Sequence, residues 1–143
     1  MNRELPPIAK LAMRVLACVE EAVTRFPRRH RYTLGSDLRS RAMAVARATH
    51  MAWRDQTRRQ QRVHELALAI DDLKITLQLG KEVQAFRSFG QFEAVARLVN
   101  DLGRQCGGWL KQMRSQGQNA ASQPSAQRAP TLSSRAALQG ASQ

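Results

Sequence analysis

The chain has 143 residues, enough for one domain with a single core and too few for two comfortable ones. Its 23 lysines and arginines face 11 acids, a formal net charge of +12, and such a field attracts polyanions and repels other cations. No apolar run approaches membrane-spanning length, and the N-terminus lacks the charged-then-apolar pattern of a secretory signal, so the expectation is a cytoplasmic protein without a membrane partner.

Arginine supplies 19 of the 23 basic residues. Guanidinium groups grip phosphate bidentately and stack on bases, which a lysine point charge does less well. A GC-rich genome also inflates arginine, but it does not account for the shortage of acids. Cys18 and Cys106 both lie on apolar stripes, where buried reduced thiols are expected rather than a disulfide or a metal site.

Four segments carry a helical period and none a two-residue alternation. In the first, about 7–26, Ile8, Leu11, Ala12, Val15, Leu16, Val19, Ala22, Val23 and Phe26 follow the three-four spacing of one apolar face. Pro6 and Pro7 suit its start and Pro27 its end. The second, about 33–56, opens on Thr33 as a candidate N-cap. Leu38, Ala42, Val45, Thr49, Ala52 and Trp53 cluster on one side, while Arg39, Arg47, His50 and Arg54 fall on another, continued by Arg58. A solvated charged face is ordinary for an amphipathic helix. Here only Asp37 and Asp55 offset eleven arginines from Arg25 to Arg62.

The third segment, about 60–86, has Val63, Leu66, Ile70, Leu73 and Leu77 on one face and Leu68, Ile75 and Leu79 off it. A helix apolar on more than one side is either the most buried or faces another subunit. The fourth, about 89–113, starts at a capping box of Ser88 and Gln91. Phe92, Val95, Ala96, Val99, Leu102, Gly103, Cys106, Leu110 and Met113 form its core stripe, and Arg97, Arg104 and Lys111 recur every seven residues on another face. Gly107 and Gly108 lie inside this helical pattern, where each costs about 1 kcal/mol relative to alanine. Their presence implies close approach of another backbone, within the bundle or between subunits.

From residue 115 the composition turns to Ser, Gln, Ala, Pro and Gly with no acid, too polar to offset its chain entropy, and residues 115–143 are expected as a disordered tail. Four helices with short connections in 1–114 predict an all-α, antiparallel up-down-up-down four-helix bundle.

Catalytic patterns are scarce. His64-Glu65 begins like a zinc-protease helix, but Leu68 stands where the second histidine is required. Asp71 and Asp72 are neighbours and point about 100° apart on a helix, poor geometry for a shared metal. His30 and His50 lie among arginines, where an imidazole suits hydrogen bonding to a phosphate or base. No catalytic residue, metal or cofactor is expected.

The most specific stretch is Phe26-Pro27-Arg28-Arg29-His30-Arg31-Tyr32-Thr33-Leu34-Gly35, the first inter-helix turn. It resembles the turn of the accessory variability determinant (Avd) proteins of diversity-generating retroelements and of their relatives among bacterial four-helix proteins. Leu102-Gly103-Arg104 followed by Gly107-Gly108-Trp109-Leu110-Lys111 resembles that family's last-helix signature. Leu73-Lys74 and Gln91-Phe92-Glu93 fit the same pattern, and the likeness spans about residues 8–113.

The resemblance implies a basic four-helix bundle assembled as a ring-like homopentamer, in a bacterial or phage-infected host. It implies association with the element's reverse transcriptase and with template RNA, cDNA or RNA–DNA hybrid, supporting the mutagenic retrohoming that diversifies a target gene, with no enzyme activity of its own. Candidate contacts to nucleic acid or polymerase are Arg28, Arg29, His30 and Arg31 in the turn, Arg39, Arg47, His50, Arg54 and Arg58 beyond it, and Arg104 and Lys111 on the last helix. For Arg104 and Lys111, salt bridges to a neighbouring subunit compete with nucleic-acid contact. Gly107, Gly108 and Trp109 are candidate oligomer or packing residues. Two other readings stay open: a structural RNA-binding protein of the kind linked to rRNA intervening sequences, and a scaffold whose charge serves only solubility.

Overall fold

The computed structural model describes residues 5–121, with side chains through Gly117. The secondary structure of the described residues is entirely helical: α1 (Pro7–Thr24), α2 (Arg28–Arg31), α3 (Leu34–Arg54), α4 (Arg59–Glu82) and α5 (Phe89–Ala121). The chain divides into two compact units, one through Lys111 and one from Gln112. The first carries the core and the candidate site; the second continues α5 to Ala121. Residues 115–121, expected in the polar tail, are therefore helical, and the rest of that expected tail, 122–143, lies outside the described residues.

Pro7 occupies the first turn of α1, where its missing N–H has no intrahelical partner to lose. The helix ends as the N–H groups of Arg25 and Phe26 bond back to Ala22 and Val23 at 3.0 Å. The expected plain turn is instead a single helical turn, α2, in which the N–H groups of His30 and Arg31 both reach the Pro27 carbonyl at 2.9 and 3.0 Å. Pro27, with φ at −55°, sets that geometry because its ring holds the backbone near helical φ.

Thr33 sits at the N-cap of α3, yet its hydroxyl does not cap it. It donates to the carbonyls of Arg29 (3.3 Å) and His30 (3.4 Å), because α2 places orphan carbonyls within nearer reach than the N–H groups of α3. Ser88 does cap: its Oγ accepts the Gln91 N–H at 3.1 Å, while Gln91 Oε1 accepts from the N–H of Arg87 at 2.9 Å. The reciprocal bond of the box thus lands one residue before the cap.

The core follows the apolar stripes. Val15, Val19, Val23, Phe26, Leu38, Val45, Leu66, Ile70, Leu73 and Leu102 are buried, and Thr49 joins them by donating its hydroxyl to the Val45 carbonyl at 2.8 Å. Leu16, Trp53, Leu110 and Met113 of the same stripes are only half-buried. Gly35 marks a close approach of α1 and α3, since a Cβ there would lie 2.6 Å from Val23 Cγ1.

Helix pairs are tied by residues far apart in sequence. Glu20 meets Arg39 and Val23 meets Gly35 across α1 and α3. Arg41 meets Asp72 and Leu34 meets Gly80 across α3 and α4. Val63 meets Cys106 and Lys74 meets Gly103 across α4 and α5. In each pair of helices the numbers rise along one member as they fall along the other.

Candidate nucleic-acid interface

Which basic residues are available to a polyanion depends on which are already engaged. Arg39 Nε donates to Glu20 Oε1 at 3.0 Å, holding α3 to α1. Arg41 bridges Asp37 (3.3 Å) and Asp72, and these carboxylates raise its pKa, the Asp37 hydrogen bond most. Arg62 joins Asp55 (3.2 Å) to Glu65 (3.4 Å). Arg97 and Arg104 pair within α5 with Glu93 and Asp101, and Arg25, just past the end of α1, pairs with Glu21 one turn back.

Two arginines are committed to backbone. Arg31 Nη2 donates to the Phe26 carbonyl at 3.1 Å, and its Nε is buried without a hydrogen-bond partner among the described residues. Arg59, which sequence reasoning did not single out, donates Nε to the Ala52 carbonyl at 2.9 Å and Nη2 to the Trp53 carbonyl. Its guanidinium also lies over the Trp109 ring, 5.9 Å from the centroid. It thereby satisfies the last carbonyls of α3 from the start of α4 while stacking on α5.

What remains is a distinct set. Arg28, Arg29, Arg47, Arg54 and Arg58 are exposed, and their guanidinium groups have no ion-pair or hydrogen-bond partner among the described residues. Arg14 on α1, Arg87 before α5, and Lys111 and Arg114 on α5 share that state. Arg14 was legible as a cation off the apolar stripe, but lay outside every motif. His30 is half-buried, and His50 Nδ1 lies 3.0 Å from the Ala46 carbonyl, bonded along its own helix.

The expected contacts therefore do not converge on one point. Arg28 and Arg29 precede the start of α3, Arg47 lies along it, and Arg54 and Arg58 flank its end. The 21 residues of α3, at ~1.5 Å rise, span about 31 Å between the two ends of this set. No acid occurs between Asp37 and Asp55, leaving this face of α3 free of like repulsion toward phosphate. Arg104 and Lys111 belong to α5.

The packing residues sort differently from expectation. Trp109 is half-buried under Arg59. Gly107 and Gly108 are exposed, and a Cβ at either would meet nothing within 4 Å. Among the described residues no backbone approaches them closely, which leaves an approach between subunits as the open part of that expectation. At Gly103 a Cβ would lie 3.0 Å from Lys74 Nζ, a side-chain contact between α5 and α4.

The chain's thiols are not activated. Burial, with a smaller contribution from Asp71, pushes Cys106 up to about 11, and its thiol donates weakly to the Val63 carbonyl at 3.8 Å. Cys18, expected buried, is half-buried, and burial raises its pKa also. At Asp55 the Thr57 hydroxyl (3.0 Å), Arg62 (3.2 Å) and the Arg58 N–H (3.3 Å) hold the carboxyl below its ordinary value. Among the described residues no cluster of three His, Cys, Asp or Glu side chains could hold a metal ion, and no helix is long and apolar enough to cross a membrane. No protein-family model matches the chain, and no curated protein matches it in sequence.

Proposed function

We propose that this chain is a non-catalytic nucleic-acid-binding accessory protein of a diversity-generating retroelement. In this reading it binds the element's reverse transcriptase together with template RNA, cDNA or their hybrid and supports mutagenic cDNA synthesis. The observation that carries the binding part is the row Arg28, Arg29, Arg47, Arg54 and Arg58, exposed and unpaired in a chain whose acids are largely spent on other arginines. Guanidinium groups on both sides of a helix about 31 Å long and along it suit a backbone read by charge and shape rather than by base sequence. The retroelement part rests on the turn motif from Phe26 to Gly35 and on the last-helix motif around Gly107-Gly108-Trp109.

The proposed architecture is an up-down-up-down four-helix bundle assembled as a ring-like homopentamer in the bacterial cytoplasm. The opposed numbering of paired residues across α1, α3, α4 and α5 supports the topology. Support for assembly comes from α4, where Leu68 and Ile75 are 69% and 68% exposed and Leu79 follows on the same side. Aliphatic side chains so exposed at helical spacing mark a surface awaiting a partner. Gly107 and Gly108 leave open space on α5.

The deciding experiment is a pull-down of the full chain from its native host, with bound protein and RNA both sequenced. Recovery of a reverse transcriptase with its template RNA is the expected result. Recovery of rRNA without that enzyme favours the intervening-sequence reading, and recovery of neither nucleic acid nor enzyme leaves a scaffold. Light scattering tests the ring: a strict monomer rules it out.

A further inference from the structure

All four phenylalanines of the chain meet at one end of the first unit. Phe26 and Phe86 stand edge-to-face at 5.0 Å, Phe86 and Phe92 at 5.4 Å, and Phe89 lies against Phe92 at 5.8 Å with a 42° tilt. The series runs from core to solvent: Phe26 and Phe92 are buried, Phe86 is half-buried and Phe89 is 63% exposed. Core packing explains the first three. It does not explain Phe89, the first residue of α5, whose ring offers most of its surface to water.

Phe86, Phe89 and Phe92 line a pocket of about 220 Å³ whose polar wall is Lys81, Gln84 and Ser88. Lys81 Nζ sits 5.4 Å from the centre of the Phe92 ring, an ammonium held by an aromatic face. Gln84 ends α4 with φ at 57°. The bonds from the N–H of Ala85 to Gly80 (2.9 Å) and of Gln84 to Lys81 (3.1 Å) define a helix end that glycine serves without steric cost. A glutamine there bears left-handed strain, and its side-chain amide, without a hydrogen-bond partner among the described residues, lines the pocket. Strain of this kind persists where the side chain has a use.

We propose that this pocket binds one unpaired nucleotide of a single-stranded nucleic acid, its base stacked on Phe89 and its edge met by the Gln84 amide. The proposal rests on the nucleic-acid reading above and adds a contact that distinguishes single strands from duplexes. Lys81 and the exposed Arg87, whose guanidinium is unpaired among the described residues, supply the phosphate contacts. Of the nearby acids, Glu93 is engaged by Arg97 at 3.6 Å, and Glu82 offsets one of these cations. The pocket is smaller than the ~300–1,000 Å³ of whole small-molecule sites, so it admits a single ring rather than a cofactor. A docked peptide helix would need several apolar anchors at helical spacing, whereas this site offers one exposed ring beside an ammonium, an amide and a hydroxyl. Bases stack on aromatic side chains regardless of sequence, and a base in a duplex is not free to do so.

The test uses the full chain with a labelled mixed-sequence RNA, single-stranded or annealed to its complement, at low salt. Phe89→Ala is expected to weaken single-strand binding roughly 5- to 150-fold while duplex affinity and melting temperature stay unchanged. Phe89→Trp keeps single-strand affinity. Gln84→Gly relieves the backbone strain, raising the melting temperature, and lowers single-strand affinity. The proposal is overturned if Phe89→Ala changes neither form or both equally. It is also overturned if that variant binds RNA normally and instead loses a protein partner. Those failures leave the arginine row intact; absence of binding by the unmodified chain to either form refutes the nucleic-acid reading and this one with it.

Discussion

Replacing Arg47, Arg54 and Arg58 together by glutamine tests whether the unpaired row holds phosphates. Each guanidinium that engages a duplex phosphate contributes about −0.9 to the slope of log K against log salt, so engagement of Arg28, Arg29, Arg47, Arg54 and Arg58 gives a slope of about −4.5. Between 50 and 200 mM salt that slope costs about 500-fold in affinity, and the remaining slope of about −1.8 in the triple variant costs only about 12-fold. The three side chains are exposed and unpaired, so the variant should melt within about 0.5 kcal/mol of the parent. A second triple variant, Arg25→Gln, Arg97→Gln and Arg104→Gln, removes equal charge from residues paired with acids. Fluorescence anisotropy across a salt series reads both slopes. If the two variants flatten the salt dependence equally, net charge alone accounts for binding and the row has no special role. If neither does, the row does not touch phosphate.

Three further outcomes follow from the packing. Gly35→Ala places a methyl 2.6 Å from Val23 Cγ1 and should cost about 1–3 kcal/mol by overpacking; an unchanged urea midpoint refutes the closeness of α1 and α3 there. Arg59→Leu orphans the carbonyls of Ala52 and Trp53 and should cost about 1–3 kcal/mol, seen in the same urea titration, whereas Arg58→Leu should cost little. Asp55 has a depressed folded-state pKa, so its stabilisation is complete above its unfolded value near 3.8 and is lost as pH falls through the lower folded value. The melting temperature of Asp55→Asn should therefore lie below the parent's at neutral pH and converge with it in acid; a gap independent of pH removes the charge from the explanation.

The stripes of α1, α3, α4 and α5 were legible because helical periodicity is local: side chains three and four residues apart share a face whatever surrounds them. Leu68 and Ile75 were legible as off-stripe for the same reason, and they are exposed. Helix ends were less so. Thr33 has the right chemistry and position for a cap, but α2 offered its hydroxyl nearer carbonyls. Gly107 and Gly108 imply a close approach within the bundle or between subunits, and among the described residues nothing lies within 4 Å of a Cβ at either.

The sequence by itself determined the helical character of the described residues, most of the residues that build the core, and a cation excess concentrated between Arg25 and Arg62. Those properties depend on residue type and short-range spacing alone. Only the tertiary structure decided which cations are free. Glu20 neutralises Arg39 from 19 residues away and Asp72 meets Arg41 across 31, separations at which sequence carries no distance information. The gathering of Phe26 with Phe86, Phe89 and Phe92 was equally hidden, because a pocket at a bundle end is assembled from helix termini that meet only when the helices pack.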